Sequence, residues 1–109
     1  MTHYLGNART VLIDFEALEP VDEAPATQAG IHELPSIGGA SLGVWEMLPG
    51  VMRNTDEDEV FIVLSGSATV AFEGGESRRI GPGDMVQLRE GETSLWTVHQ
   101  TLRKVYICV

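Results

Sequence analysis

The sequence predicts an all-β protein, a sandwich or small barrel of short strands, on three observations. Apolar, β-branched-rich runs are short, as in Val11-Leu12-Ile13-Asp14-Phe15 and Val60-Phe61-Ile62-Val63-Leu64. Gly-rich punctuation recurs through the second half, at Gly66, Gly74-Gly75, Gly81, Gly83 and Gly91, at the spacing of short strands joined by turns. No longer segment carries a 3.6-residue apolar period, so helix content should be low.

Residues 1–10 read as a loose start, with room for an edge strand around Tyr4. Val11 to Phe15 reads as a strand, with room for a turn of helix over Phe15 to Leu18. Glu19 to Gln28 contains Pro20 and Pro25 among Ala and acidic residues and has no period, which marks an irregular surface segment. Ile31 to Leu34 is a short strand stopped by Pro35. After the Gly38-Gly39 turn, Ala40 to Leu48 is a strand with Leu42, Val44 and Glu46 on one face and Gly43, Trp45 and Met47 on the other.

Pro49-Gly50 turns the chain, and Asp56 to Glu59 forms an acidic run. Val60 to Leu64 is apolar on both alternating faces, as in a strand buried on two sides. Ser65-Gly66-Ser67 turns into a second strand, Ala68 to Phe72, and Glu73 to Glu76 reverses the chain again. Arg78-Arg79-Ile80 and Met85 to Leu88 flank the Gly81-Pro82-Gly83-Asp84 turn. Thr93 to Gln100 sets Ser94, Trp96 and Val98 on one face. Lys104 to Val109 closes the chain, with Val105, Ile107 and Val109 opposite Tyr106 and Cys108.

The chain has 109 residues, which suits one domain, read as N-terminal strands and irregular segment over 1–39 packing on a barrel core over 40–109. A net charge of −9 repels polyanions, so nucleic acid and anionic membranes are poor partners. No apolar run approaches a spanning length and no leader pattern opens the chain, which gives a cytoplasmic expectation. Cys108 has no second cysteine to pair with and fits a reducing compartment.

The order of these residues resembles the cupin family. Cupins place a Glu at the start of a strand and a Gly seven residues later, as Glu59 and Gly66 stand here, followed by a Gly-Asp turn (Gly83-Asp84) and a further Gly (Gly91). Trp45-Glu46, Trp96 and Arg103-Lys104-Val105-Tyr106 are similar to small single-domain cupins of the (S)-ureidoglycine aminohydrolase cupin group. The resemblance covers roughly residues 40 to 109 and implies a cupin-type double-stranded β-helix, a jelly-roll barrel. It also implies a homodimer, which would cover the surplus apolar face of Val60 to Leu64.

In metal-binding cupins, two His one residue apart precede the Glu and a third His lies on the second motif. Here those positions hold Arg53 and Thr55, or Met52 and Asn54 in the register slipped by one, and the third holds Ser94. Glu59 alone remains, and His3, His32 and His99 match no ligand position, so the expectation is no metal and no cofactor. In the first register, Arg53, Thr55, Glu59, Phe61, Ser94, Trp96 and Val98 line the barrel mouth, an apolar pocket with a few polar groups. Glu59 is then the candidate acid or base, and Arg53, Thr55, Phe61, Ser94 and Trp96 are candidate binding residues for a small polar metabolite.

The bland alternatives stand beside these. Arg53 and Glu59 could simply pair, Trp45 and Trp96 could be core, Asp56 to Asp58 a solvated turn, Arg78-Arg79 an outward hairpin, and Cys108 a small buried hydrophobe. The competing function is a non-catalytic ligand-sensing or dimerisation scaffold.

Overall fold

The computed structural model describes residues 3–109. They form eight strands and no helix: β1 (Asp14–Ala17), β2 (Gln28–Ile37), β3 (Ala40–Met47), β4 (Gly50–Thr55), β5 (Glu59–Phe72), β6 (Ser77–Ile80), β7 (Met85–Leu88) and β8 (Thr93–Cys108). All pair antiparallel.

Two of these strands are longer than the runs that announce them. Val60–Leu64 and Ala68–Phe72 are two parts of β5, and the last two apolar runs are joined in β8. The β5/β8 ladder runs from Glu59 opposite Cys108 to Phe72 opposite Ser94, with register shifts between Val63 and Ala68. Ser65-Gly66-Ser67, expected as a turn, is therefore a bend inside β5. Gly66 makes the bend possible. Its φ is +87°, and a Cβ there would lie 1.9 Å from the Thr101 carbonyl oxygen on β8.

The bend gives each half of the ladder its own neighbours. β3 and β7 flank the half that holds Glu59, with β2 and β1 extending it beyond β3, whereas β4 and β6 flank the half that holds Phe72. The halves face each other. Trp45 and Phe61 of the first lie 5.7 and 5.5 Å, centroid to centroid, from Trp96 of the second. This is the expected jelly roll. Its interior holds Met47, Phe61, Val63, Val70, Leu88, Trp96, Val98 and Leu102, all buried. Each large apolar side chain buried this way contributes roughly 1.5–3 kcal/mol.

The N-terminal third departs from the reading. The segment around Tyr4 is not a strand, and Asn7 O instead accepts from Thr10 and Val11 N–H in a turn. β1 starts at Asp14 and takes in Phe15 to Ala17, where a helical turn had room. Pro35 does not end β2. The register slips between Leu34 and Ile37, and that bulge absorbs a residue with no N–H to donate.

Arg103 and Lys104, adjacent in β8, project to opposite faces, and each meets a carboxylate. On the outer face Arg103 Nε donates to Glu46 Oε1 at 2.7 Å, and its Nη1 reaches the carbonyls of Ala8 and Val11, each at 3.0 Å. These bonds tie the N-terminal segment to β8, and through Glu46 to β3. Further along that face Val60, Ile62 and Ile107 are about half exposed, so the two-sided apolar run has one side in the core and one outside. No helix among the described residues is long and apolar enough to cross a membrane.

Candidate functional site

Lys104 points into the interior. In register it lies between Trp45 on β3 and Val63 on β5. Its Nζ donates to Glu59 Oε2 at 2.6 Å, a charge-assisted contact. Three rings surround the same nitrogen, with centroids at 4.1 Å (Phe61), 4.7 Å (Trp45) and 5.0 Å (Trp96). All fall within cation–π range. Burial lowers the Lys104 pKa from its ordinary value, opposed first by the Glu59 charge and hydrogen bond and then by the charge of Asp56. The Lys104 side chain is 7% exposed, whereas that of Glu59 keeps 17%. Glu59 is the part of the pair that solvent reaches. A shallow recess lined by Asp58, Glu59, Gln87 and Val109, with Val60 and Ile107 of the outer face, borders Glu59 at the strand ends.

Tyr106 and Cys108 follow Lys104 on the same face at the two-residue period of a strand, leading out to the rim. Burial raises the Tyr106 pKa, helped by the charges of Glu33 and Glu59. Cys108 is pushed up to about 11 by burial and then by Glu57, whose Oε2 accepts from Cys108 Sγ at 3.1 Å. The mouth is therefore acidic, and its thiol stays protonated well above neutral pH. Labelling of Cys108 by iodoacetamide at pH 8 should run roughly a hundredfold slower than that of an ordinary exposed thiol, since each pKa unit is a factor of ten in thiolate. It should accelerate through pH 11. A rate at pH 8 equal to that of a free thiol would contradict this environment.

Asp56 is a second interior carboxylate, 2% exposed rather than part of a solvated turn. Its Oδ1 accepts from Asn54 Nδ2 at 2.9 Å and Ser94 Oγ at 2.7 Å, while Trp96 Nε1 donates to Ser94 Oγ at 2.9 Å. Its Oδ2 is buried with no hydrogen-bond partner among the described residues. Its backbone bonds Glu92 O and Gly91 N, which pin the β4–β5 connection to the turn before β8.

The register of β4 settles which residues enter. Asn54 lies opposite Ser94 and Met52 opposite Trp96, so these two share the interior face. Arg53 lies opposite Leu95, and Arg53 and Thr55 are exposed on the outer side. The structure thus separates Arg53 and Thr55 from Glu59; the ion pair weighed for Glu59 forms with Lys104 instead. Phe61, Ser94 and Trp96 do come together, but each is 1% exposed, so they fill the interior rather than line an open pocket.

The metal that the cupin pattern implies does not fit these residues. Asn54 and Ser94 are spent on Asp56, Met52 supplies a thioether, and Glu59 faces an ammonium. Among the described residues no group of three or more His, Cys, Asp or Glu could hold an ion. His3 is exposed, His32 is half-buried on β2, and His99 Nε2 shares a hydrogen bond with Thr69 Oγ1 at 2.8 Å in an exposed position.

Lys104 is the residue the sequence reading missed. A signal was present: adjacent strand residues face opposite ways, so Arg103 and Lys104 cannot both face outward. Lys104 is also the chain's only lysine.

A family model described as a EutQ-like cupin domain matches residues 36–106. Among solved structures, the chain is similar to a protein of unknown function from Rhizobium leguminosarum bv. viciae. The identity is 28% over 73% of this chain and 79% of that one, with a TM-score of 0.68. It is similar in fold to a putative ethanolamine utilization protein Q from Salmonella typhimurium, at 17% identity over 91% and 96% of the two chains and a TM-score of 0.65. A Pseudomonas syringae pv. tomato protein of unknown function gives a TM-score of 0.78 at 22% identity, over 93% of this chain but 46% of that one. No curated protein matches.

Proposed function

Since the chain belongs to the EutQ-like cupin domain family, we propose that it is a small-molecule cupin that binds or transforms an N–H-rich polar metabolite at an acidic mouth, without a transition metal. One observation carries this reading. Glu59 holds an interior ammonium with one oxygen, yet its side chain remains 17% exposed at the mouth, beside Tyr106 and Cys108. Lys104 engages Oε2, leaving the other oxygen as an acceptor or base for a donor that enters. Glu33 and Glu57 add negative charge at the rim. Amides, ureides and weak bases suit that environment, and carboxylates do not. The Trp45-Glu46 and Arg103-Lys104-Val105-Tyr106 motifs, similar to the ureidoglycine aminohydrolase group, favour the ureide end of the class.

The test is calorimetric titration with a panel of ureides, amides, small amines and carboxylates. At least one N–H-rich compound should bind, and Glu59→Gln should weaken it at least tenfold while the fold is retained. Preferential binding of carboxylates, or an N–H-rich ligand held equally well by Glu59→Gln, would remove the reading. Elemental analysis of the purified protein is the companion measurement, and a stoichiometric transition metal would count against it.

A further inference from the structure

A lysine in a jelly-roll interior is an expensive way to fill space, because an apolar side chain would need neither desolvation nor a partner. This interior is shaped around the charge. Two carboxylates, Glu59 and Asp56, act on Lys104, and three rings from three strands converge on its nitrogen. Aromatic faces backed by a carboxylate form the arrangement that recognises organic ammonium ions. We propose that the interior of this cup is an ammonium site, filled by Lys104 where the cupin pattern would otherwise put a metal ion, and that it takes up a free alkylammonium ion once the Lys104 side chain is cut back.

The tethered cation holds Glu59 in one orientation, and no chelator or competing ion can remove it. Every group near the nitrogen supports this assignment. β3 supplies Trp45, β5 supplies Glu59 and Phe61, and β8 supplies Trp96. Asp56, between β4 and β5, adds its charge, and its buried Oδ2 has no hydrogen-bond partner among the described residues. No second cation is among the groups that act on Lys104. The proposal is independent of the ligand reading, because the cage can hold its ammonium whether or not the mouth binds a metabolite.

Propylammonium is the fragment missing from Lys104→Ala, and 1-propanol is its neutral counterpart of equal size. Propylammonium chloride should raise the melting midpoint of Lys104→Ala saturably, at a half-saturating concentration at least tenfold below that of 1-propanol. It should leave the wild type unmoved relative to sodium chloride, and adding Glu59→Ala should abolish the tenfold preference. Equal rescue by 1-propanol would show a simple hole and overturn the proposal, as would no response from a folded Lys104→Ala. Should that variant fail to fold, ¹⁵N-lysine labelling of the wild type decides. The single lysine should give a slowly exchanging ammonium signal at neutral pH with contacts to the Trp45 and Trp96 rings, and a neutral amine signal there would refute the assignment.

Discussion

Glu59→Ala is expected to destabilise the protein by about 3–5 kcal/mol at pH 7, because it leaves the buried Lys104 ammonium without its carboxylate. In a domain of this size that lowers the melting midpoint by at least about 12 °C. Lys104→Met should also destabilise, by stranding Glu59. The double variant Glu59→Ala/Lys104→Met should recover at least about 2 kcal/mol relative to the sum of the singles, since it removes both charges together. Additive losses in denaturant titrations of the four proteins would show that the pair is not coupled. The pH dependence has a definite sign. The folded Lys104 pKa lies below its ordinary 10.5, so between those two values the unfolded chain binds more protons and stability rises with pH. Glu59→Ala removes the largest opposing influence, which extends that window downward. The cost of the variant should therefore shrink as pH rises from the variant's folded Lys104 pKa to the wild type's, as denaturant titrations across pH would show.

Gly66→Ala is expected to cost at least about 3 kcal/mol, or to prevent folding, although it adds a single methyl group and removes no hydrogen bond. Two penalties combine: φ of +87°, which side chains rarely adopt, and a Cβ placed 1.9 Å from a backbone oxygen that cannot swing aside. Gly74→Ala is the control. Its φ is +70° but nothing lies within 4 Å of the added carbon, so only the conformational part of the cost remains. Thermal melts of the two proteins separate clash from backbone preference, and equal losses would mean that the close approach to Thr101 is not a constraint.

The fold was legible because its signals are local. Two-residue alternation in Ala40 to Met47 and Thr93 to Gln100, with glycine at the reversals, is enough to predict an all-β body. Strand continuity was not legible, because a glycine that bends one strand looks the same as a glycine that joins two. The site was half legible. Glu59 follows from the cupin pattern, but the register of β4 cannot be chosen without a histidine pair to anchor it, and a one-residue slip exchanges Arg53 and Thr55 for Met52 and Asn54. Asp56 was hidden by its neighbours, since one acidic residue among four gives no sign of being the buried one. Lys104 could have been found by parity alone, from Tyr106 two positions on.

The length of β5 and β8 also decides how anything reaches the interior. Their shared ladder continues from one wall into the other, bent and shifted in register between Val63 and Ala68, so prying the walls apart would pull on both long strands at once. A visitor to Glu59 must come and go past the strand ends around Asp58 and Val109, and traffic at that doorway needs only side chains to step aside.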